Sequence, residues 1–265
     1  VSKKMQKKLL ICSKSTSKHS NDFKGFELFI FSGKIEIDMY KKFSNKYDNV
    51  IAVGGGGCID LGKIASRQNL ICYPTTASGA SQTSHSVVWN KDKKLSIKTL
   101  KPTKVIVKEE YLKSLPLHVL RDTFCDAVSH NLDILFSDKK TKISEKLALQ
   151  SMEMLKNYST VKQIIIAGNI AGDAIEITPT TLLHSLSYPI TGRYKIPHGQ
   201  ALGILLKKMK HFYDFDIEEY FSIDEEIEID YDYIVEEAYK YEKVKSFSGG
   251  ITKSEVLRML KGVAK

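Results

Sequence analysis

Asp126 and His130 stand four positions apart in a stretch, 122–135, that reads as helix, so both side chains leave one face a turn apart. Further along, His184 and His198 are separated by fourteen positions, one near the end of a helix and the other at the start of the next. Pro189, Gly192 and Pro197 shape the connection between them. Singly, each pair has an ordinary explanation: an acid–base contact on a helix surface, or two structural histidines. Together, one carboxylate and three imidazoles make a ligand set that suits iron(II) or zinc. The spacing permits the pairs to converge and does not require it.

A second chemical signal is the run Gly54-Gly55-Gly56-Gly57, which follows an apolar segment at 49–53 and precedes residues 58–63, which can start a helix. Without Cβ atoms the backbone can approach a ligand closely. A helix N-terminus adds free N–H groups and positive potential, so a pyrophosphate fits there. The run departs from the GxGxxG spacing. The next polar loop, 74–83, carries Thr75, Thr76 and Ser81, which can donate to phosphate or nicotinamide groups at the C-terminal edge of an open sheet. A solvated Ser/Thr loop is the plainer alternative.

The elements that must position these residues change character along the chain. Short apolar runs at 9–12, 27–31, 49–53, 70–73 and 104–107 read as buried strands, with helical segments at 35–46 and 60–67 between them. That alternation predicts a parallel α/β sheet. Residues 85–97, around Asn90-Lys91-Asp92-Lys93, read as an inserted hairpin. From about Lys113 the patterns are helical, at 142–156, 200–213 and 231–241, and 161–180 reads as buried helix despite its Ile164-Ile165-Ile166 run. The expected organisation is an N-terminal nucleotide-binding domain at 1–112 and an all-α metal domain at 113–265, with Ser114-Leu115-Pro116 at the boundary.

The composition narrows the class. Over 265 residues, 42% hydrophobic and 27% charged content is that of a chain that buries a core. The basic start ahead of 9–12 has too short an apolar run for a signal peptide, and nothing approaches the roughly 20 apolar residues of a membrane span. A net charge of +9 is dispersed rather than interleaved with aromatics, which speaks against a nucleic-acid partner. Cys12, Cys58, Cys72 and Cys125 form no CxxC pair, so neither a disulfide framework nor a cysteine zinc site is expected, and the reading is cytoplasmic.

In order and spacing these motifs resemble the iron-containing alcohol dehydrogenases, relatives of glycerol dehydrogenase and dehydroquinate synthase. The family's GGGSxxDxxK segment corresponds to Gly54 through Lys63 and its threonine-rich loop to Thr75 through Gln82. Its DAxxH segment corresponds to Asp126 through His130, and its double-histidine PHG segment to His184 through Gly199. The resemblance implies a dehydroquinate synthase-like fold with a cleft between the two domains, and a homodimer. It implies one divalent metal, iron(II) or zinc, on Asp126, His130, His184 and His198. NAD or NADP would lie at Gly54, Gly55, Gly56, Gly57, Asp60, Lys63, Thr75, Thr76 and Ser81. Hydride would pass between the nicotinamide and the carbon of a small alcohol or aldehyde, with Tyr188, where many members carry a histidine, donating a hydrogen bond to the substrate oxygen.

Departures from the family pattern are Gly57 for a serine, Gln82 for an acidic residue, a short first crossover at 13–26 and an abbreviated helical region after His198. The SYP and IPHG segments resemble the branch containing phosphonoacetaldehyde reductases, with Arg193 and Lys195 as candidate contacts for an anionic substrate. A carbocyclic lyase like dehydroquinate synthase and a non-catalytic family member are the competing expectations.

Overall fold

The computed structural model describes residues 6–91, 93–224 and 227–262; the basic start at 1–5 and Asp92 at the expected hairpin tip lie outside them. Two compact units result, Val1–Pro116 with Tyr158–Gly172, and Leu117–Asn157 with Asp173–Lys265.

The first unit is built on β1 (Lys8–Ser13), β2 (Glu27–Phe31), β3 (Tyr47–Gly54) and β4 (Ser66–Pro74). The helices α1 (Ile37–Phe43) and α2 (Gly56–Ala65) connect them. The hairpin of β5 (His85–Asn90) and β6 (Lys93–Lys98) precedes β7 (Lys104–Val105), and the short α3 (Glu109–Leu112) closes the segment. The main sheet is parallel in the order β2-β1-β3-β4-β7, and the hairpin forms a separate antiparallel pair. Leu9, Leu10, Ile11 and Cys12 are all buried, consecutive residues on opposite faces, because a parallel strand is covered on both sides. This explains why the strands read as continuous apolar runs rather than as alternation.

The second unit is helical: α4 (Leu117–Leu135) and α5 (Lys142–Lys156), with the last turn of α6 (Val161–Ile177), the rest of which, through Gly172, belongs to the sheet unit. They are followed by α7 (Leu182–Tyr194), α8 (His198–Lys208), α9 (Lys210–Tyr213), α10 (Tyr231–Ala238) and α11 (Lys253–Lys261). Capping boxes start α5, at Thr141 and Ser144, and α11, at Thr252 and Glu255. Among the described residues no helix is long and apolar enough to cross a membrane.

Three local expectations change. First, α2 begins at Gly56, inside the glycine run, and ends at Ala65, so Ser66 and Arg67 open a strand. Second, the helix expected over 200–213 breaks at Met209 into α8 and α9. Third, His184 lies in the first turn of α7 rather than near a helix end, and Pro189 and Gly192 lie within that helix, leaving Pro197 in the connection. A proline inside a helix costs about 3 kcal/mol. Full burial of Leu182, Leu183, Leu186 and Ile190 offsets it, since each contributes roughly 1.5–3 kcal/mol.

Candidate metal centre

The face of α4 that carries Asp126 and His130 continues to Asp133, and this series is the floor of the centre. His184 comes from the first turn of α7, and His198 is the first residue of α8. The Nε2 atoms of all three histidines meet one carboxylate oxygen, Asp126 Oδ1, at 3.4 Å from His130, 3.3 Å from His184 and 3.7 Å from His198. The His130 and His184 rings stack at 4.6 Å with 9° between their planes, and the His184 and His198 rings meet edge-on at 5.4 Å.

Asp133 explains why His184 faces inward. Fully buried, it accepts hydrogen bonds from His184 Nδ1 at 2.8 Å, Thr181 Oγ1 at 3.0 Å and the backbone N–H groups of Leu183 and His184 at 2.9 and 3.2 Å. The two backbone donors belong to the open first turn of α7, so a carboxylate from α4 caps a helix whose own N-cap, Thr181, supplies no side-chain bond. In its neutral form, with the Nδ1 hydrogen donated to Asp133, His184 turns its Nε2 lone pair to Asp126. A lone pair and a carboxylate oxygen 3.3 Å apart repel unless a positive centre sits between them. A tetrahedral ion with bonds of about 2.1 Å holds its ligand atoms roughly 3.4 Å apart, close to the spacings here. The residues fit a divalent metal.

Burial alone would raise the Asp126 carboxyl; the His130 charge, the His184 hydrogen bond and the charges of His198 and His184 outweigh it and hold Asp126 far below the usual carboxylate range. For Asp133 the desolvation is outweighed by the His184 hydrogen bond and charge, with help from Lys243 and the Leu183 N–H, and its pKa is lowered. His198 is the most open of the four, its side chain 28% exposed against 4% to 14% for the others, so access to the centre lies on its side. Tyr188, two turns along α7, lies nearly parallel to His198 at 5.9 Å. A second group, His19, Asp22 and Glu110, is also close enough to share an ion. There Lys108 already pairs with Glu110, and with Asp22 at 3.6 Å, so a cation is in place.

Gly199 brings α8 in. A Cβ on it would lie 2.1 Å from the Asp122 carbonyl oxygen, so only glycine lets the start of α8 reach α4 one turn before Asp126.

In the sheet unit, Gly54 ends β3, Gly55 caps α2, and Gly56 and Gly57 form its first turn, with the helix N–H groups open to the strand end. A Cβ on Gly57 would lie 2.6 Å from the Phe31 ring, which accounts for glycine where the family carries serine. Asp60 and Lys63 form a buried ion pair at 2.7 Å. Lys63 Nζ also donates to the Ala80 carbonyl at 2.9 Å and to the His85 carbonyl, while Asp60 accepts from Val87 N–H at 2.9 Å. These two residues tie α2 to the threonine loop and hairpin. Thr75 N–H donates to the Gly54 carbonyl at 3.0 Å, a Cβ on Gly55 would touch Thr76 at 3.2 Å, and Ser81 Oγ donates to Asn169 Oδ1 at 2.9 Å. The loop therefore sits against the glycine turn. Arg193 pairs with Asp230 at 3.3 Å and lies over the Tyr233 ring, and Lys195 is the left-handed C-cap of α7, on the surface.

The sequence reading missed Asp133, although it falls on the same helical face as Asp126 and His130, a signal the spacing carried. It also missed Lys243, whose partners come from far along the chain.

Two family models match in succession: "Iron-containing alcohol dehydrogenase" over residues 31–116 and "Fe-containing alcohol dehydrogenase family, C-terminal" over residues 121–223. The chain is 28% identical over 193 residues to 4-hydroxybutyrate dehydrogenase of Clostridium kluyveri, covering 59% of this chain and 52% of that protein. It is 28% identical over 229 residues to glycerol-1-phosphate dehydrogenase of Methanococcus maripaludis strain C5, covering 78% and 63%. The chain spans about half the length of the curated relatives it matches. Among solved structures, the iron-containing alcohol dehydrogenase of Thermotoga maritima superposes with a TM-score of 0.80 at 20% identity, covering 97% of this chain and 91% of that one. The sulfoacetaldehyde reductase of Bifidobacterium kashiwanohense, in complex with NAD+, gives 0.78 at 19% identity, covering 98% and 92%; both share the fold. The tandem match and the fold make this chain a member of the iron-containing alcohol dehydrogenase family, and Asp126, His130 and His184 form a possible metal site within it.

Proposed function

We propose that the chain is a metal-dependent, NAD- or NADP-linked alcohol dehydrogenase or aldehyde reductase, acting on a small and anionic substrate. The observation that carries this reading is the convergence of three imidazole Nε2 atoms on one buried carboxylate oxygen. Asp126, His130, His184 and His198 would hold iron(II) or zinc, which when bound supplies Lewis acidity toward an alcohol or carbonyl oxygen. NAD or NADP, when bound, would supply or accept the hydride. Asp133 keeps His184 in the tautomer that ligates. Tyr188, whose ring lies 5.9 Å from that of His198, would donate its phenol proton to the substrate oxygen as negative charge develops there. The open N-terminus of α2 and the loop carrying Thr75, Thr76 and Ser81 form the phosphate cradle, with Asp60 and Lys63 holding its shape. The anionic preference is supported by the similarity to a 4-hydroxybutyrate dehydrogenase and to glycerol-1-phosphate dehydrogenases. A phosphonate- or phosphate-bearing aldehyde belongs to this class, and a homodimer is part of the same proposal.

The test is to load the protein with iron(II) or zinc, add NADH or NADPH and a panel of small aldehydes, and follow loss of the reduced-nicotinamide absorbance. Turnover is expected, and His198→Ala should lose both bound metal and activity. Undiminished turnover in His198→Ala would remove the metal from the mechanism.

A further inference from the structure

Lys243 is a half-buried cation that makes no ion pair with a carboxylate among the described residues. It sits in a 3-10 turn, Glu242–Ser246, and reaches past its neighbours to two neutral hydroxyls, Thr180 Oγ1 at 3.0 Å and Tyr188 Oη at 2.9 Å. Its ammonium also lies 4.4 Å from the centre of the Tyr188 ring. Among the described residues no ion pair to it exists, whereas the flanking Lys245 pairs with Glu242 at 2.9 Å. Asp133 attracts it from a distance, but that carboxylate already accepts from four donors. Burial accordingly pulls the Lys243 ammonium down to about 8, a sign that its charge lacks compensation. Two of its three protons have acceptors, and one remains to donate.

The position matters as much as the charge. Tyr188 contacts both Lys243, through its phenol oxygen at 2.9 Å, and His198, through its ring at 5.9 Å, so a single side chain links the ammonium to the most open of the candidate ligands. Arg193 and Lys195, the basic residues that the sequence put forward, are respectively paired with Asp230 and on the surface.

We propose that Lys243 is the residue that recognises the anionic end of the substrate, a carboxylate, phosphonate or phosphate. Lys243 is thus a specificity-determining residue and Tyr188 its partner. This inference rests on the dehydrogenase reading, and its test separates the two. Two four-carbon aldehydes are compared, 4-oxobutanoate and uncharged butanal, with Lys243→Met, Lys243→Arg and the parent protein. Lys243→Met should raise KM for 4-oxobutanoate about tenfold or more while leaving butanal within about twofold, and Lys243→Arg should restore most of the difference. An equal loss with both aldehydes, or with neither, would overturn the assignment and leave the dehydrogenase reading standing. A second readout needs no turnover: succinate or inorganic phosphate binding to the metal-loaded chain by calorimetry. Binding that is present in the parent and lost in Lys243→Met upholds the anion site even if no aldehyde is reduced; binding indifferent to Lys243→Met refutes it.

Discussion

At the scale of the residue, the centre depends on a carboxylate that touches no metal. Asp133 fixes the His184 ring through Nδ1 and caps α7 in the same act. Second-layer partners of this kind change metal affinity about 10- to 100-fold. Asp133→Asn is therefore expected to weaken zinc binding by about that range, read by competition with a chelating dye, while His130, His198 and Asp126 stay in place. The same residue governs acid stability. Its native pKa is depressed, so its contribution is present above the unfolded value of about 3.9 and is lost as pH falls through the native value. Urea unfolding of the metal-free protein should show stability falling below about pH 4, and a shallower fall in Asp133→Asn. Lys243 titrates in the other sense. Facing it are Asp133 from α4, Thr180, and Tyr188 with the Tyr241 ring edge-on to it. KM for 4-oxobutanoate should climb as pH rises through about 8, where the ammonium loses its proton. A KM that stays flat across that range would count against the charge as the recognition element.

The element scale is governed by close approach. α8 delivers His198 only because Gly199 lets its first turn press on the Asp122 carbonyl. Gly199→Ala must push α8 outward, since the obstacle is backbone; overpacking of this kind costs about 1–3 kcal/mol. Zinc affinity should fall with it, although none of the four ligands is altered. In the sheet unit α6 behaves alike: a Cβ on Gly168 would lie 2.2 Å from the Ala77 carbonyl oxygen, so α6 and the threonine loop meet backbone to backbone. Gly168→Ala should shift that loop and weaken NADH binding, measured by quenching of tyrosine and tryptophan fluorescence, while leaving zinc binding unchanged. The identity of these glycines is plain in the chain; their reason is not, because the backbone each one admits comes from a distant segment.

At the scale of the molecule, each unit carries one of the two candidate sites. The sheet unit holds the glycine turn and its loop, and the helical unit holds all four candidate ligands. Metal bound only by the native helical unit should stabilise it by mass action, by about 4 kcal/mol at a thousandfold excess over Kd. Calorimetry with zinc, followed by a chelator, should show a rise in Tm that reverses, and the rise should be absent in His198→Ala.

Sequence alone settled the features that depend on local spacing and on burial averaged over a segment. The parallel strands read as unbroken apolar runs because both of their faces are covered. The helical half read as periodic, and the Asp126/His130 pair read as one helix face because α-helical geometry is the same everywhere. Tertiary structure decided what depends on approach between distant segments. It kept α7 helical through Pro189, because burying its leucines outweighs a broken bond, and so put His184 in a first turn capped by Asp133. It also placed Lys243, 55 residues beyond Tyr188, against that phenol. Contacts of that kind are set by packing across the fold, and no spacing along the chain encodes them.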